Sequence, residues 1–175
     1  MNEAKILGFI LSSDLRWTKH VATITRKASQ SLHLLVLCKR AGLPVKEIKL
    51  MYISKIRPVL EYACPVWHPG LCGFLTGDIE HVQMRALKIM YPNLSYIEAL
   101  AVAGLEKLSQ RRDTICLQFF KSMENPNHKL NHLIPKTRHC AYNLRRTRKY
   151  ESIKTKTKRS DGALVNWCLN KHMCN

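Results

Sequence analysis

A chain of 175 residues, 46% of them hydrophobic, is long enough for one packed domain that buries roughly two thirds of its unfolded surface, and too short for a second full one. Its 29 Lys and Arg face 12 Asp and Glu, a net charge of +17 that calls for a polyanion, with nucleic acid ahead of an anionic membrane. Seven cysteines form no even framework and no Cys-x-x-Cys, no apolar run approaches the roughly 20 residues of a spanning helix, and the amino terminus has no secretory pattern. These features exclude a disulfide scaffold and a membrane span and predict an intracellular protein of nucleus or cytoplasm.

KILGFIL, residues 5–11, reads as a short strand bounded by Ser-Ser-Asp. Nothing else in the chain reads as a convincing strand. This one is either the edge of a sheet whose other strands lie elsewhere or a loose amino-terminal segment. From Thr18 to Arg40, Val21, Ile24, Ala28, Leu32 and Leu35 recur on one helical face, with Lys19, Arg26, Lys27 and Arg40 roughly opposite. Leu34 and Leu37 fall on the far side too, which predicts deeper burial of the last turns. Gly42 near the C-cap and Pro44 in the next first turn mark the boundary.

The second helix, residues 45–62, carries Ile48, Tyr52, Ile56, Val59 and Ala63 along a stripe. Pro58 inside it removes a donor and crowds the Ser54 carbonyl, so a kink or an early stop is expected near Arg57. In the following Cys-Pro-Val-Trp-His-Pro-Gly, Pro65 ends the helix, Tyr62 and Trp67 pack around the corner, and Pro69-Gly70 turns the chain. A third helix, residues 78–90, buries Ile79, Val82, Ala86, Ile89 and Met90 while Arg85 and Lys88 point away. Ser95 and Glu98 stand at capping-box spacing and Gly104 closes the fourth helix.

A fifth helix, residues 105–123, aligns Leu108, Ile115, Phe119 and Met123, with Arg112 on the same stripe as either a structural ion pair or a phosphate contact. Beyond Asn-Pro-Asn-His-Lys the periodicity fades into a basic arm with Tyr142 and Tyr150 among Arg145, Arg146, Arg148 and Lys149. A short terminal helix, GALVNWCLN, docks back through Leu164, Trp167 and Leu169. Residues 126–175 hold 12 basic against 2 acidic side chains, so the tail supplies most of the excess charge. The expected organisation is a strand and linker over 1–17, a helical body over 18–125 and a basic arm over 126–175.

Two-metal nucleotidyl transfer needs several converging carboxylates. No two acidic residues are adjacent here, Asp occurs only at 14, 78, 113 and 161, and the acids of the third to fifth helices read as partners for neighbouring cations. There is no GxxxxGK and no HExxH. His128, His132, His139 and Cys140, and Cys168, His172 and Cys174, form clusters that match no standard zinc spacing, so solvated or packed side chains are the ordinary reading. Cys64 and His68 are four apart with Pro65 between them, and no orienting acid or oxyanion site is identifiable for a nucleophile. The expectation is no catalytic residue, no metal ligand and no cofactor.

Five blocks in order carry a resemblance: LGFILSSDLRWTKHV, RPVLEYACPVW, IEHVQMRALKIM, SYIEALAVAGLEKLSQRRD and YNLRRTRKY. Together they resemble the carboxy-terminal region of reverse transcriptases from non-LTR (LINE-type) retrotransposons, over residues 6–167. The resemblance implies that Leu7 and Gly8 match the end of the palm, Trp17 and His20 the entry of the thumb, and Lys19, Arg26 and Lys27 its basic face. The family's Phe/Tyr-x-Asp-Asp turn, which holds the magnesium ions, has no counterpart in this sequence, and Trp167-Cys168 stands where the family usually has Trp-Asn. Polymerase activity by this chain alone is therefore not expected.

The combined expectation is a mainly α, thumb-like helical bundle with one short amino-terminal strand and a basic, partly irregular extension. Lys19, Arg26, Lys27, Arg40, Arg145, Arg146, Arg148 and Lys149 would contact the phosphates of an RNA–DNA or other duplex. The alternatives are a helical module that meets a protein partner through exposed apolar surface, and a degenerate retroelement remnant without a selected function.

Overall fold

A computed structural model describes residues 3–14, 16–137, 150–151 and 153–172. In chain order the elements are β1 (Glu3–Ile6), β2 (Phe9–Ser12), α1 (Thr18–Arg40), α2 (Val45–Met51), a π-helical turn (Tyr52–Ile56), α3 (Arg57–Glu61), α4 (Cys64–Trp67), a 3-10 turn (His68–Gly70), α5 (Gly73–Met90), α6 (Tyr96–Ala103), α7 (Leu108–Met123), a 3-10 turn (Asn131–Leu133), α8 (Lys158–Asp161) and α9 (Leu164–His172). The fold is mainly α, as the periodicity predicts. Among the described residues no helix is long and apolar enough to cross a membrane.

The apolar run at residues 5–11 is a hairpin rather than one strand. β1 pairs antiparallel with β2, Ile6 opposite Phe9 and Glu3 opposite Ser12. Leu7 and Gly8 form the turn with φ of 47° and 91°, the two positive values a tight two-residue hairpin requires. The segment thus supplies its own pairing partner.

The chain forms two compact units. The first comprises Met1–Ala63 and Leu71–Arg112. In it α1 packs along α5 and against α3, burying Val21, Ile24, Ala28, Leu32 and Leu35 as expected, with His20 added. Leu34 and Leu37 remain exposed, because the helix is covered on one side only. At its end Leu43 N–H donates to Cys38 O and Gly42 N–H to Lys39 O, both at 3.1 Å, with Gly42 at φ 78°.

The Pro58 expectation resolves into the π turn. Arg57 N–H reaches back five residues to the Tyr52 carbonyl, just before the proline that cannot donate. The buried stripe becomes Ile48, Tyr52, Ile56 and Leu60, so Val59 and Ala63 are only half-buried. The helix ends at Glu61, with Ala63 at φ 46°, and Pro65 stands inside α4 instead of ending its predecessor.

α5 begins at Gly73, earlier than the periodicity suggests, and buries Leu87 and Gln83 while Ile89 is half-buried. α6 has the expected ends. Ser95 N–H donates to Glu98 Oε2 at 2.8 Å, Glu98 N–H to Ser95 Oγ at 3.4 Å, and Gly104 adopts φ 62°. Glu80 accepts from the backbone N–H groups of Leu108 and Ser109 at 3.1 and 3.2 Å, capping α7 from another helix.

The second unit comprises Cys64–Gly70 and Asp113–Asn175. Its core gathers Phe120, Tyr150, Cys168 and Leu169, with Leu164 and Trp167 packed against them, so the terminal helix docks as predicted. Tyr150 is a core residue instead of part of an arm: its ring meets Phe120 edge-on and its hydroxyl donates to Glu124. Along α7 the buried positions are Leu108, Arg112, Cys116, Phe120 and Met123, whereas Ile115 and Phe119 are half-buried. One spacing of four in place of the expected three accounts for the offset.

Candidate nucleic-acid interface

α1 positions the cations that the sequence singles out. With Val21 to Leu35 turned inward, Lys19, Arg26, Lys27 and Arg40 are all exposed. Lys19, Arg26, His33 and Arg40 recur every seven residues, a spacing that drifts only about 20° per step around the helix. They make an outward stripe about 31 Å long at 1.5 Å per residue. The period-seven pattern and its member His33 are visible in the sequence once the buried face is known.

These groups differ in what already occupies them. Lys19 pairs with Glu3, an exposed contact of the kind worth at most about 1 kcal/mol, which a polyanion can displace. Among the described residues, Arg26, Lys27 and Arg40 have no carboxylate in ion-pair range. Arg145, Arg146, Arg148 and Lys149 lie outside the described residues, as do Tyr142, His139, Cys140 and Cys174. Leu37 shares the outward side of α1, so the stripe is cationic with an apolar interruption.

Arg112 is fully buried, which takes its guanidinium out of reach of a surface phosphate. Its charge acts instead on Glu61, whose Oε1 lies 2.6 Å from Arg111 Nε and whose Oε2 lies 3.8 Å from Arg57 Nε. Burial outweighs the three guanidinium groups and raises the Glu61 pKa above its ordinary value. Arg111 also reaches Glu106 at 3.7 Å. Among the described residues Glu80, by contrast, has no cation in ion-pair range: it accepts from Tyr96 and two backbone amides.

At the foot of α1, Phe9 lies 5.5 Å from the His20 ring and stacks 5.8 Å from Tyr62, while Trp17 meets His20 edge-on. Tyr62 therefore packs against the hairpin while staying largely exposed, and its hydroxyl donates to Leu7 O at 3.3 Å. Burial, with the charge of Lys27 added, lowers the His20 pKa, so this imidazole is neutral at pH 7.

The Cys64–His68 corner belongs to the second unit and is built as packing. His68 Nε2 lies 2.8 Å from Asp113 Oδ1, its ring lies edge-on to Trp67 and Trp167, and Lys171 holds the other oxygen of Asp113. Cys64, Cys116 and Cys168 are buried, and Cys168 Sγ donates to Cys116 O at 3.8 Å. A hydrogen bond with Cys64, then burial, pushes the Cys116 thiol far up, and burial pushes Cys168 up to about 12. Neither thiol supplies a thiolate nucleophile at neutral pH. His128 accepts from Leu130 N–H at 3.2 Å and leans on Phe119, and His132 Nδ1 lies 3.0 Å from Lys129 O. Among the described residues no three His, Cys, Asp or Glu side chains converge on a point that could hold a cation.

Comparison with protein-family models, with curated proteins and with solved structures returns no match for the chain.

Proposed function

We propose that the chain is the thumb and downstream part of a non-LTR (LINE-type) retrotransposon reverse transcriptase, and that these residues bind a nucleic-acid duplex through phosphate contacts without performing polymerase chemistry. The observation that carries the reading is the outward stripe of α1, where Arg26 and Arg40 stand exposed with no carboxylate partner among the described residues, in a chain of net charge +17. A duplex presents one negative charge per about 1.7 Å of axis, so such a stripe gains affinity by releasing condensed counterions, with little base preference. The five sequence blocks supply the family, and the exposed ion pair of Lys19 supplies a third displaceable cation.

The test is fluorescence anisotropy with a labelled RNA–DNA hybrid. If about six phosphates are engaged, raising salt from about 50 to about 200 mM lowers affinity roughly 10³-fold. Arg26→Gln with Arg40→Gln lowers the slope of log affinity against log salt by about 2. Replacing Arg145, Arg146, Arg148 and Lys149 together removes most of the remaining binding. Affinity flat across that salt range defeats the electrostatic reading, and primer extension with added magnesium defeats the assignment of an inactive fragment.

A second reading, a helical module for a protein partner, is favoured by the exposed Leu34 and Leu37 on the same helix. The quadruple replacement discriminates, since it leaves a contact through helix faces intact. A remnant with no selected role would bind neither a duplex nor a partner with any site dependence.

A further inference from the structure

In the first unit a cavity of about 340 Å³ opens between α5 and α6. Met84 and Leu87 from α5, Leu94 from the connecting loop and Ala99 from α6 give it walls of carbon almost throughout. Its volume falls at the lower end of the range of ligand sites, enough for one large side chain and not for an extended ligand. The polar atoms beside it are already engaged: the Tyr96 hydroxyl donates to Glu80 and accepts from Gln83, and the Ser95 hydroxyl accepts from Glu98 N–H. The Glu98 carboxylate is likewise turned to the Ser95 amide.

Arg85 and Lys88 also line this cavity, one turn apart on α5 and both exposed. Among the described residues Lys88 has no hydrogen-bond or ion-pair partner, and Arg85 makes only a 3.4 Å contact with the Ser29 hydroxyl. A cavity of this kind offers apolar burial inside and two uncompensated positive charges at its edge. A nucleobase would bury ring-edge donors and acceptors with nothing to meet them, which costs about 1–3 kcal/mol per group. A neutral apolar ligand would leave both cations unanswered.

From this charge complementarity we infer that the α5–α6 cavity is a docking site for an acidic peptide segment, helical or turn-like, that inserts one large apolar side chain and sets carboxylates one turn away against Arg85 and Lys88. It is the small form of helix-in-groove recognition, in which an apolar anchor gives affinity and flanking charges give register. The inference is independent of duplex binding by α1.

The test uses the full chain and a fluorescein-labelled, helix-favouring peptide carrying one Leu flanked by Glu residues three and four positions away, with a control peptide in which that Leu is Ser. At physiological salt the Leu peptide binds at least tenfold more tightly than the Ser peptide. Arg85→Glu with Lys88→Glu lowers its affinity at least tenfold, and Met84→Trp, which fills the cavity from its exposed edge, does the same. Lys46→Glu with Lys55→Glu makes the same change in net charge at exposed positions that do not line the cavity, and leaves affinity within twofold. Circular dichroism establishes that each variant is folded; if Met84→Trp is not, the two peptides and the charge pairs still decide.

Equal affinity for the Leu and Ser peptides, or equal losses from the two charge pairs, overturns the inference in favour of diffuse attraction to a basic protein. Octanoate that binds with the same dependence on Arg85, Lys88 and Met84 while the Leu peptide does not would overturn it in favour of a fatty-anion site. An RNA–DNA hybrid that competes with the peptide in the parent chain and depends on Met84 would overturn it in favour of nucleic acid.

Discussion

Gln83 shows what a single polar residue does in an apolar interior. It is buried on α5, its Oε1 accepts from the Tyr52 hydroxyl at 2.7 Å, and its Nε2 donates to Tyr96 Oη at 3.1 Å and Glu106 O at 3.0 Å. All three contacts tie neighbouring elements to one amide. Gln83→Leu keeps the volume and strands those groups, so urea unfolding should show a loss of about 3 kcal/mol, of which Tyr52→Phe in the same chain recovers part. His20 gives a pH dependence. Because its pKa is lowered on folding, the unfolded chain binds the extra proton, and stability present above the ordinary histidine pKa is lost as pH falls through and below it. Unfolding midpoints between pH 7.5 and 5.5 should therefore decline, and decline less in His20→Gln. Neither residue was legible as core, since hydrophobic periodicity counts only apolar side chains. Arg112 stood on its stripe in plain view, but its complete burial, with its charge felt by Glu61 far away in sequence, was not legible there.

At the scale of elements, backbone conformation carries what side-chain patterns do not. The four-residue repeat Ile48, Tyr52, Ile56, Leu60 overshoots a full α-helical turn by about 40° at each step, and the π turn takes up that drift. Pro58 announced a disturbance in the sequence; its form and direction were set by the packing of Leu60. The hairpin was hidden for a related reason, because Leu-Gly is an uncommon tight turn and only Gly8 is suited to its positive φ. The ends of α6 were legible, since the capping box and the left-handed glycine are local chemistry. Two substitutions test this level with opposite signs. Gly104→Ala, at φ 62° with nothing near its added Cβ, should cost about 1 kcal/mol through backbone strain alone. Ala63→Gly, at φ 46°, should stabilise by about 0.5–1 kcal/mol. Thermal denaturation of both variants beside the parent chain reads both effects.

For the whole molecule the governing quantity is charge. A net +17 repels itself in the compact state while attracting a polyanion, and salt acts on these two effects in opposite directions. Between about 0.01 and 0.1 M salt the screening length falls from about 30 to about 10 Å, so the melting temperature should rise while affinity for an RNA–DNA hybrid falls. A melting temperature that falls with salt would mean that attractive pairs such as Arg111–Glu61 outweigh the excess. Composition made this charge plain from the outset, and the helical class followed from period. What linear reading could not reveal is that Cys64–Gly70 leaves its neighbours in sequence to join Asp113 onward. That detour has a consequence for biogenesis. A ribosome adding about 5–20 residues per second releases Trp67 and His68 roughly 5–20 s before Leu169, and through that interval the indole has no finished interior to enter. The nascent polypeptide must shelter this heptapeptide until α9 emerges, and release of a product truncated ahead of α9 would leave it a target for chaperones and proteases.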